Sequence, residues 1–567
     1  MKGKKPVINI RESNEQNNLF FQSLLPDFKF SEDTLSLLTA ILPIKLRGKQ
    51  CTIDMDVNPI KWKSTSSTSG KGILTIKTSG VEQDVQVYQK KIPLIDPFHW
   101  MKYKERPTEP FTWSTQSSSI LNPENQAYID VLGSSLVSKL IDTYNSPHFC
   151  RVYGGFRTVI ETHTFNLEED FEDIRFTNWF WKALDNKEFT IHVIEKNTGN
   201  ELTMSEIKSA IKPDEEFLED SDSDSDSDSG SESDSGSESE SGSESEIELH
   251  TSSNAQYPSE LEEVDFDNKS VNSTPIYLNK PKTKSVTSTD TNTSFFDEFD
   301  MYVDLPNMPA VVMYSESCTG TMDELLELSD YAPINSPEKE KIWSAWLFQV
   351  IAALAQLQGE LRLTHNDLHT NNVLWKETKD EFLWYRDTNN RCWKVPTYGR
   401  IFTIIDFGRA IFSVNNFYCI SSDYQDGRNA AGQYNFGPLE DSDEDIVYPN
   451  KSFDLSRLSC SLIRGLFPYN PPGKTGGKII TKESNYEVKE TVHEVFNLLW
   501  SWLKADNGSN ILEMKDGDEK FPGFDLYIQI AHTVHNAIPL MQLNTPAMKQ
   551  FLIPSLAKDI KTIIIPA

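Results

Sequence analysis

From residue 48 to residue 92, apolar and polar positions alternate with the period of two that is typical of half-buried strands. The alternation is clearest in residues 51–55, 72–77 and 85–91, which are separated by turn-forming residues. Short consecutive strands of this kind favour antiparallel pairing, with one face of the sheet packed against a core. We therefore expect an antiparallel sheet, followed by a helix at residues 122–144, where apolar side chains recur at helical spacing.

The pattern predicts two further strands and then a mainly helical region. The strands are expected at residues 149–156 and 310–314, and helical spacing dominates after residue 320. Ser336-Pro337-Glu338 is typical of a helix start, because serine caps the first turn and proline is tolerated there. Further helices are expected at residues 453–466, 488–503 and 526–537. The sequence thus predicts an α+β fold with two lobes, a small antiparallel sheet lobe and a larger, mainly helical lobe.

A strongly acidic segment interrupts the predicted strands. Residues 214–248 contain 16 acidic residues and no Lys or Arg, and residues 221–246 contain no apolar side chain. Such a composition cannot bury enough surface to offset the entropy of ordering the backbone, so we expect the segment to be disordered. Its serines could accept phosphate, or the segment could bind basic partners; a solvating spacer is the alternative.

These patterns divide the chain into five parts. The parts are an N-terminal extension (1–45), the first part of the sheet lobe (46–165), an insert that contains the acidic segment (166–300), the last strand with a hinge (301–320), and the helical lobe (321–567). The coarse order is therefore strands with one helix, an interrupting insert, a hinge, and then helices.

The charge and the cysteines narrow the possible functions. The formal net charge is −31, and −15 without the acidic segment, which argues against nucleic-acid or anionic-membrane binding as the main role. The six cysteines form no C-x-x-C pair, as expected of free thiols in a reducing compartment. The N-terminus lacks the apolar core of a signal peptide, and no apolar run is typical of a membrane span. We expect a soluble, intracellular protein, and the sequence leaves its oligomeric state open.

The candidate chemistry lies in two motifs near the middle of the chain. L-T-H-N-D-L-H-T-N-N-V-L-W places Asn372 five residues after Asp367, and F-T-I-I-D-F-G-R-A contains Asp406. In phosphoryl transfer, a carboxylate orients the attacking hydroxyl, while carboxylate and amide oxygens hold the metal ions that neutralise the phosphates. The spacing therefore indicates Asp367 as the group that orients a hydroxyl, and Asn372 and Asp406 as metal ligands.

These motifs resemble the catalytic loop and the metal-binding loop of the protein-kinase-like superfamily. Four other segments, S-P-H-F, S-S-D, A-G-Q-Y-N and P-N-K-S-F-D-L-S-R-L, resemble serine/threonine-type kinases encoded by giant DNA viruses of amoebae and related large cytoplasmic viruses. The resemblance implies a bilobal fold, ATP and Mg²⁺ as cofactors, and protein Ser/Thr hydroxyls as acceptors. It also implies a location in the host cytoplasm, with packaging in a virion left open. The acidic residues 440–445 could favour basic protein substrates, although a solvated loop is the alternative.

The resemblance also implies a role for each residue of the catalytic loop. Asp367 would be the catalytic base, Asn372 and Asp406 would bind Mg²⁺, and His365 would support the loop from behind. Asp454 resembles the buried aspartate that ties its helix to the backbone of this loop, and a simple helix N-cap is the alternative.

Two residues depart from the usual pattern. Asn366 stands where regulated kinases carry Arg, which predicts activity that does not require phosphorylation of the segment after Asp406. His369, which we assign to the cofactor site, stands where serine/threonine kinases usually carry Lys. Small-molecule phosphotransferases also carry this His, so a small-molecule acceptor stays open. A kinase-shaped scaffold without activity is a third hypothesis.

The phosphate-binding groups of the sheet lobe are less clearly marked. A lysine is expected at the end of the third strand, and strand alternation favours Lys90 over Lys91, although a bulge would exchange them. Gly70 and Gly72 form a weak G-x-G phosphate-binding loop. These four residues are the candidate contacts to the nucleotide phosphates.

Two acidic residues complete the expected nucleotide site. Glu124 at the start of the predicted helix and Asp130 inside it could each pair with the lysine, and we take Glu124. Glu316 resembles the acidic residue of the hinge between the lobes, where backbone groups would recognise adenine. Between the two motifs, residues 376–400 predict a long aromatic β-hairpin, either packed locally or exposed for peptide docking.

Overall fold

In a computed structural model, the described residues form two compact units. The first unit comprises the described residues within 28–165 and 304–566, and the second comprises those within 166–213 and 299–303. The predicted acidic segment (214–248) and the first predicted strand (51–55) lie outside the described residues. The structure describes residues 28–29, 58–65, 70–78, 81–102, 117–167, 171–213, 299–414, 417–474, 480–482, 485–487, 490–514 and 518–566.

Strands and helices alternate in the first half of the chain, and helices occupy much of the second half. The strands are β1 (Phe28–Lys29), β2 (Asn58–Ser64), β3 (Lys71–Thr78), β4 (Val81–Pro93), β5 (Val152–Asn166), β6 (Thr190–Glu195), β7 (Phe299–Glu316), β8 (Gly320–Thr321), β9 (Val373–Glu377), β10 (Phe382–Asp387), β11 (Cys392–Pro396), β12 (Arg400–Ile404), β13 (Phe412–Val414), β14 (Phe417–Cys419), β15 (Ile480–Lys482), β16 (Asn485–Glu487), β17 (Leu552–Ile553) and β18 (Ile563–Ile565). The helices are α1 (Pro97–Met101), α2 (Ser118–Leu121), α3 (Gln126–Tyr144), α4 (Phe171–Ile174), α5 (Asn178–Asp185), α6 (Met204–Ile211), α7 (Glu324–Glu327), α8 (Pro337–Leu361), α9 (Phe453–Leu466), α10 (Glu494–Trp502), α11 (Asp525–Thr533), α12 (Pro539–Gln542) and α13 (Pro546–Lys549).

The largest sheet of the first unit has the strand order β1-β5-β7-β4-β3-β2. The pairs β2–β3, β3–β4 and β4–β7 are antiparallel, which confirms the predicted pairing mode. Along β4, Val87 and Gln89 are buried, whereas Tyr88 on the other face is exposed. This alternation puts Lys90 on the face opposite Val87, as the sequence pattern predicted.

Helix α8 forms the centre of the helical part of the first unit. Its start has the predicted chemistry, since the Ser336 side chain accepts from the backbone N–H of Lys339. Gln349 is fully buried and binds the backbone of β12 twice, at Arg400 O (3.1 Å) and Phe402 N (3.0 Å). A buried amide must find such partners, because leaving it unpaired costs about 1–3 kcal/mol. The helix therefore fixes β12, the strand that leads into Asp406.

The predicted aromatic hairpin is β10–β11, and it is packed rather than exposed. It belongs to a sheet of order β17-β11-β10-β18, so the C-terminal strands cover both of its edges. Tyr385 and Trp393 are fully buried. These contacts favour local packing over the peptide-docking alternative.

The second unit contains α4, α5, β6 and α6. Its buried residues include Phe180 and Trp181, whose rings meet edge-on at 5.2 Å between their centres. Helix α6 starts with a capping box, in which Thr203 and Glu206 satisfy each other's backbone N–H groups. Part of the predicted insert (166–300) is therefore folded. Among the residues described, none of the helices combines the length and the apolar character that crossing a bilayer requires.

A buried histidine connects the hairpin to β12. His148 Nδ1 lies 2.9 Å from the carbonyl oxygen of Phe402, and Nε2 lies 2.8 Å from the hydroxyl of Tyr385. The neutral ring satisfies both partners when Nδ1 donates and Nε2 accepts from the phenol. Burial lowers the pKa of His148 from 6.5 to about 4.

This pKa makes the stability of the first unit dependent on pH. Below pH 6.5 the unfolded chain protonates His148, but the folded protein does not until about pH 4. Stability present above pH 6.5 is therefore lost as the pH falls, by about 2 kcal/mol at about pH 5. Urea unfolding of wild type and His148→Gln at about pH 7.5 and about pH 5 measures this loss. The variant should lose less stability between the two pH values, and an equal loss would contradict the assignment.

Candidate active site

Lys90 lies between two carboxylates at the end of β4. Its Nζ is 2.7 Å from Asp130 Oδ2 and 3.0 Å from Asp406 Oδ1. Burial alone would lower the pKa of Lys90, but the two carboxylates outweigh it and raise the pKa above its ordinary value. The ammonium group is therefore charged at neutral pH, as a contact to phosphate requires. Lys91 is exposed on the other face of the strand.

Asp130 joins three segments of the chain. It lies inside α3 with a side chain that is only 2% exposed. While Oδ2 binds Lys90, Oδ1 accepts from the backbone N–H of Phe407 (2.8 Å) and from Ser134 Oγ (3.2 Å). One carboxylate thus holds together β4, α3 and the residue after Asp406.

The prediction that Glu124 pairs with the lysine is wrong. Helix α3 begins at Gln126 with Asn125 as its N-cap, so Glu124 precedes the helix. Its side chain is exposed, and its backbone carbonyl accepts from Ser422 N (2.7 Å). Asp130, the alternative left open by the sequence, is the residue that contacts Lys90.

Asp406 has a left-handed backbone, with φ of +68°. Asp and Asn tolerate this conformation better than other non-glycine residues, and such residues cluster at functional sites. Burial raises the pKa of Asp406, but Lys90 outweighs that effect and leaves the pKa below its ordinary value. The carboxylate is therefore ionised and can bind a cation.

The pairing of β9 with β12 brings the two motifs together. Val373 is paired with Ile404, and the backbone N–H of Ile405 donates to Asn372 O (3.1 Å). Asn372 in turn donates from Nδ2 to Asp367 O (2.9 Å) and keeps Oδ1 as a potential metal ligand. The candidate catalytic and metal-binding residues thus lie on adjacent loops.

A buried aspartate holds the loop of Asp367 in place. The Asp454 carboxylate accepts from the backbone N–H groups of His365 and Asn366, each at 3.0 Å. Burial raises the pKa of Asp454. The N-cap of α9 is Ser452. The carboxylate therefore ties the helix to the loop and is not a simple helix cap. His365 supports the loop as well, since its Nε2 lies 2.7 Å from Ile405 O.

Asp367 has a partner that sequence reasoning missed. Tyr527, on α11, donates from its hydroxyl to Asp367 Oδ1 at 2.8 Å. Burial raises the pKa of Tyr527 to about 12, so the phenol is a neutral donor at physiological pH. The guanidinium groups of Arg457 and Arg409 lie 5.1 Å and 5.7 Å from the centre of its ring. Arg457 lies in the quoted P-N-K-S-F-D-L-S-R-L segment, but no local signal marks Tyr527.

The two unusual residues of the loop are both built into its packing. Asn366 is fully buried, accepts from the Tyr434 hydroxyl (2.7 Å) and donates to Arg409 O (3.1 Å). His369 Nε2 lies 3.1 Å from Asn372 Nδ2, and burial lowers the pKa of His369. A neutral imidazole is therefore favoured beside the candidate metal ligand.

A cavity of about 400 Å³ adjoins these residues, a volume in the range of small-molecule sites. Val152, Met313 and Leu374 give it an apolar wall, while Lys90 and Asp406 give it a charged end. The predicted hinge also contributes to the wall through residues 315–319. A nucleotide would match both features, with its base against the apolar wall and its phosphates at the charged end.

Glu316 lies in this wall but is held by neighbouring groups. Its carboxylate binds Lys376 Nζ (3.1 Å) and the backbone N–H of Arg151 (3.3 Å), and its own N–H donates to Arg151 O (2.8 Å). Backbone groups of the hinge, rather than this side chain, are therefore the groups suited to contact a ligand.

The packing of the sheet leaves no room for a side chain at Gly70 or Gly72. A Cβ at Gly70 would clash with the carbonyl oxygen of Gln89, and one at Gly72 would clash with the Trp62 ring. Lys71 between them lines the cavity. A phosphate-binding role of the two glycines stays a prediction.

The donor atoms of the site fit Mg²⁺ better than a transition metal. Within the described part of the chain, no cluster of three or more His, Cys, Asp or Glu side chains could hold a metal ion. Asp406 and Asn372 offer a carboxylate and an amide oxygen. Mg²⁺ uses one or two such ligands and completes its shell with water and phosphate oxygens.

Comparisons with known proteins give little support of their own. No protein-family model matches the chain, and no curated protein matches it. Among solved structures, the chain is similar to one described as "ROP18 kinase domain in complex with AMP-PNP and sucrose". The sequence identity is 11% and the TM-score 0.26, with 87% of this chain and 79% of that chain covered. Values this low do not establish a shared fold or function.

Replacing Asp130 tests whether this carboxylate organises the site. Asp130→Asn removes the charge that faces Lys90, and losing a hydrogen bond to a charged group costs about 2 kcal/mol. Glu124→Gln is the matched control, and an exposed substitution of this kind should change stability by less than about 0.5 kcal/mol. Urea unfolding followed by tryptophan fluorescence measures the free energy of unfolding of both variants. Equal stabilities of the two variants would show that Asp130 has no special role.

Proposed function

We propose that this protein is a Mg²⁺- and ATP-dependent protein kinase that transfers phosphate to Ser/Thr hydroxyls. The observation that carries the proposal is the contact of Lys90 with both Asp130 and Asp406 at the charged end of the cavity. Asp367 and Asn372 lie on the adjoining loop. This set contains a cation for phosphates, two metal ligands and a carboxylate for the attacking hydroxyl.

The lining of the cavity supports the proposal that it binds a nucleotide. The base would lie against Val152, Met313 and Leu374, and the phosphates would reach Lys90 at the charged end. Asp406 and Asn372 would hold Mg²⁺, which would neutralise phosphate oxygens. The pKa values of Lys90 and Asp406 favour the ionised forms that this arrangement needs.

Asp367 would position the acceptor hydroxyl. Its Oδ1 accepts from Tyr527, so Oδ2 can accept from the hydroxyl of the substrate and take its proton. Phosphoryl transfer depends more on this placement than on strong basicity. The loop is fixed by buried hydrogen bonds to Asp454, which keeps Asp367 in one position.

The acceptor is inferred from surface charge. The acidic residues 440–445 are exposed, which suits basic protein substrates. Because small-molecule phosphotransferases also carry a His at the position of His369, a small-molecule acceptor is the alternative that an experiment must exclude. The resemblance to viral kinases and the location in a host cytoplasm stay predictions from the sequence.

Asp406→Asn tests the reaction. Removing a metal-binding charge should slow phosphoryl transfer roughly a thousandfold, equivalent to about 4 kcal/mol. The control is Asp426→Asn, because Asp426 is exposed. Labelled ATP and Mg²⁺ are incubated with basic proteins, mixed proteins, sugars and choline-like alcohols. Equal transfer by Asp406→Asn and wild type would overturn the proposal, and transfer to alcohols alone would overturn the protein acceptor.

Tyr527→Phe tests the placement of Asp367. Losing one hydrogen bond to a carboxylate costs about 1.5 kcal/mol, so kcat should fall roughly tenfold. The KM for ATP should stay the same, because Tyr527 does not line the cavity. Tyr469→Phe, at an exposed tyrosine, is the control. An unchanged kcat would show that Tyr527 does not position Asp367.

A further inference from the structure

Two cysteines lie side by side in the wall of the cavity. Cys150 Sγ is 3.6 Å from Cys318 Sγ, and both side chains are half-buried. Cys150 precedes β5, and Cys318 lies in the hinge after β7. Both residues line the cavity. Small oxidants that enter the cavity can therefore reach the two thiols.

The backbone around the two cysteines is already held together. The N–H of Glu316 donates to Arg151 O at 2.8 Å, and the N–H of Arg151 donates to the Glu316 carboxylate at 3.3 Å. A disulfide has an S–S length of about 2.05 Å, so the sulfur atoms must approach by about 1.5 Å. Rotation of two side chains can supply a movement of this size.

The hydrogen bond between the two thiols gives them different reactivity. It lowers the pKa of Cys318, while burial opposes this shift. The same hydrogen bond, together with burial, raises the pKa of Cys150. Cys318 is therefore the better nucleophile, since the thiolate is the reactive form. Cys460 differs from it, because burial raises its pKa to about 11.

We propose that Cys150 and Cys318 are a peroxide-reactive pair that forms an intramolecular disulfide in the cavity wall. The Cys318 thiolate attacks one oxygen of a hydroperoxide, the O–O bond breaks, and the departing oxygen takes up a proton. The resulting sulfenic acid is attacked by Cys150 sulfur, which loses its proton, and hydroxide leaves as water. Two thiols and one hydroperoxide thus give one disulfide, one alcohol or water molecule from the leaving oxygen, and one further water.

Formation of the disulfide and binding of a nucleotide would disfavour each other. This inference rests on the proposed function, because it requires a nucleotide in the cavity. A nucleotide in the cavity covers both thiols and keeps the oxidant away. Drawing the two wall residues together would also weaken nucleotide binding at equilibrium, and by reciprocity the nucleotide would disfavour the disulfide by the same factor. Oxidation of the pair would then reduce nucleotide binding in a way that thiol reductants reverse.

Mapping the disulfide tests the thiol pair without any assay of activity. The reduced full-length protein is treated with hydrogen peroxide, digested without reductant and analysed by mass spectrometry. The peptide that links Cys150 to Cys318 should appear in wild type and in Cys460→Ser, disappear in Cys318→Ser, and be lost from wild type on treatment with dithiothreitol. Sulfinic acids without a bridge, or a bridge between other cysteines, would overturn the proposal. The wild-type map decides this even where Cys318→Ser does not fold.

A second measurement separates this proposal from the proposed function. The Mg²⁺ complex of a non-hydrolysable ATP analogue, at about ten times its Kd, should slow formation of the linked peptide roughly tenfold, because only protein without the analogue exposes its thiols. Calorimetry on the reduced protein reports whether the analogue binds. Binding without slower oxidation would overturn the placement of the thiols beside the nucleotide. Absence of binding would overturn the proposed function, while the linked peptide still decides the thiol pair.

Discussion

The site depends on one buried carboxylate, that of Asp130. A charge in this position must be fully paired, because an unpaired buried charge is far more costly than a missing surface contact. Asp130 meets this requirement with Lys90 on one oxygen and with Phe407 N and Ser134 Oγ on the other. The sheet, the helix and the loop of Asp406 are consequently fixed to one another by a single side chain. A shift of any of the three would leave a charge or a donor unsatisfied.

A second set of buried polar groups fixes the loops from the helical side. Gln349 on α8 holds the backbone of β12, and Asp454 on α9 holds the backbone of the loop that contains Asp367. The β9–β12 pairing lies between these two contacts. Since helices are stiffer than loops, side chains carried by helices give the loops defined positions. Asp367 and Asp406 thus keep their places although neither lies in a regular element.

Local patterns predicted the parts of the structure that local physics determines. The sequence predicted α9 at Phe453–Leu466, and alternation along β4 selected Lys90. The choice of Glu124 was wrong because α3 begins at Gln126, so Glu124 precedes the helix, whereas Asp130 lies inside it and reaches Lys90. Tyr527 could not be found, since it is 160 residues from Asp367 in sequence and meets it only through the packing of α11. Predictions within segments therefore succeeded. Between segments, the contact of Asp454 was implied by the family resemblance, but the partners of Lys90 and Asp367 depended on packing.

The unusual residue Asn366 is explained by its contacts with the segment that follows Asp406. Asn366 has a φ of +62°, a conformation that Asn adopts more readily than most residues. Its side chain binds Tyr434 and the carbonyl of Arg409, and Tyr424 donates to that same carbonyl (2.7 Å). These hydrogen bonds are uncharged and buried, so their strength does not require an added phosphate. An Arg at this position would need an anionic partner in the segment, whereas Asn366 uses groups that the chain already contains.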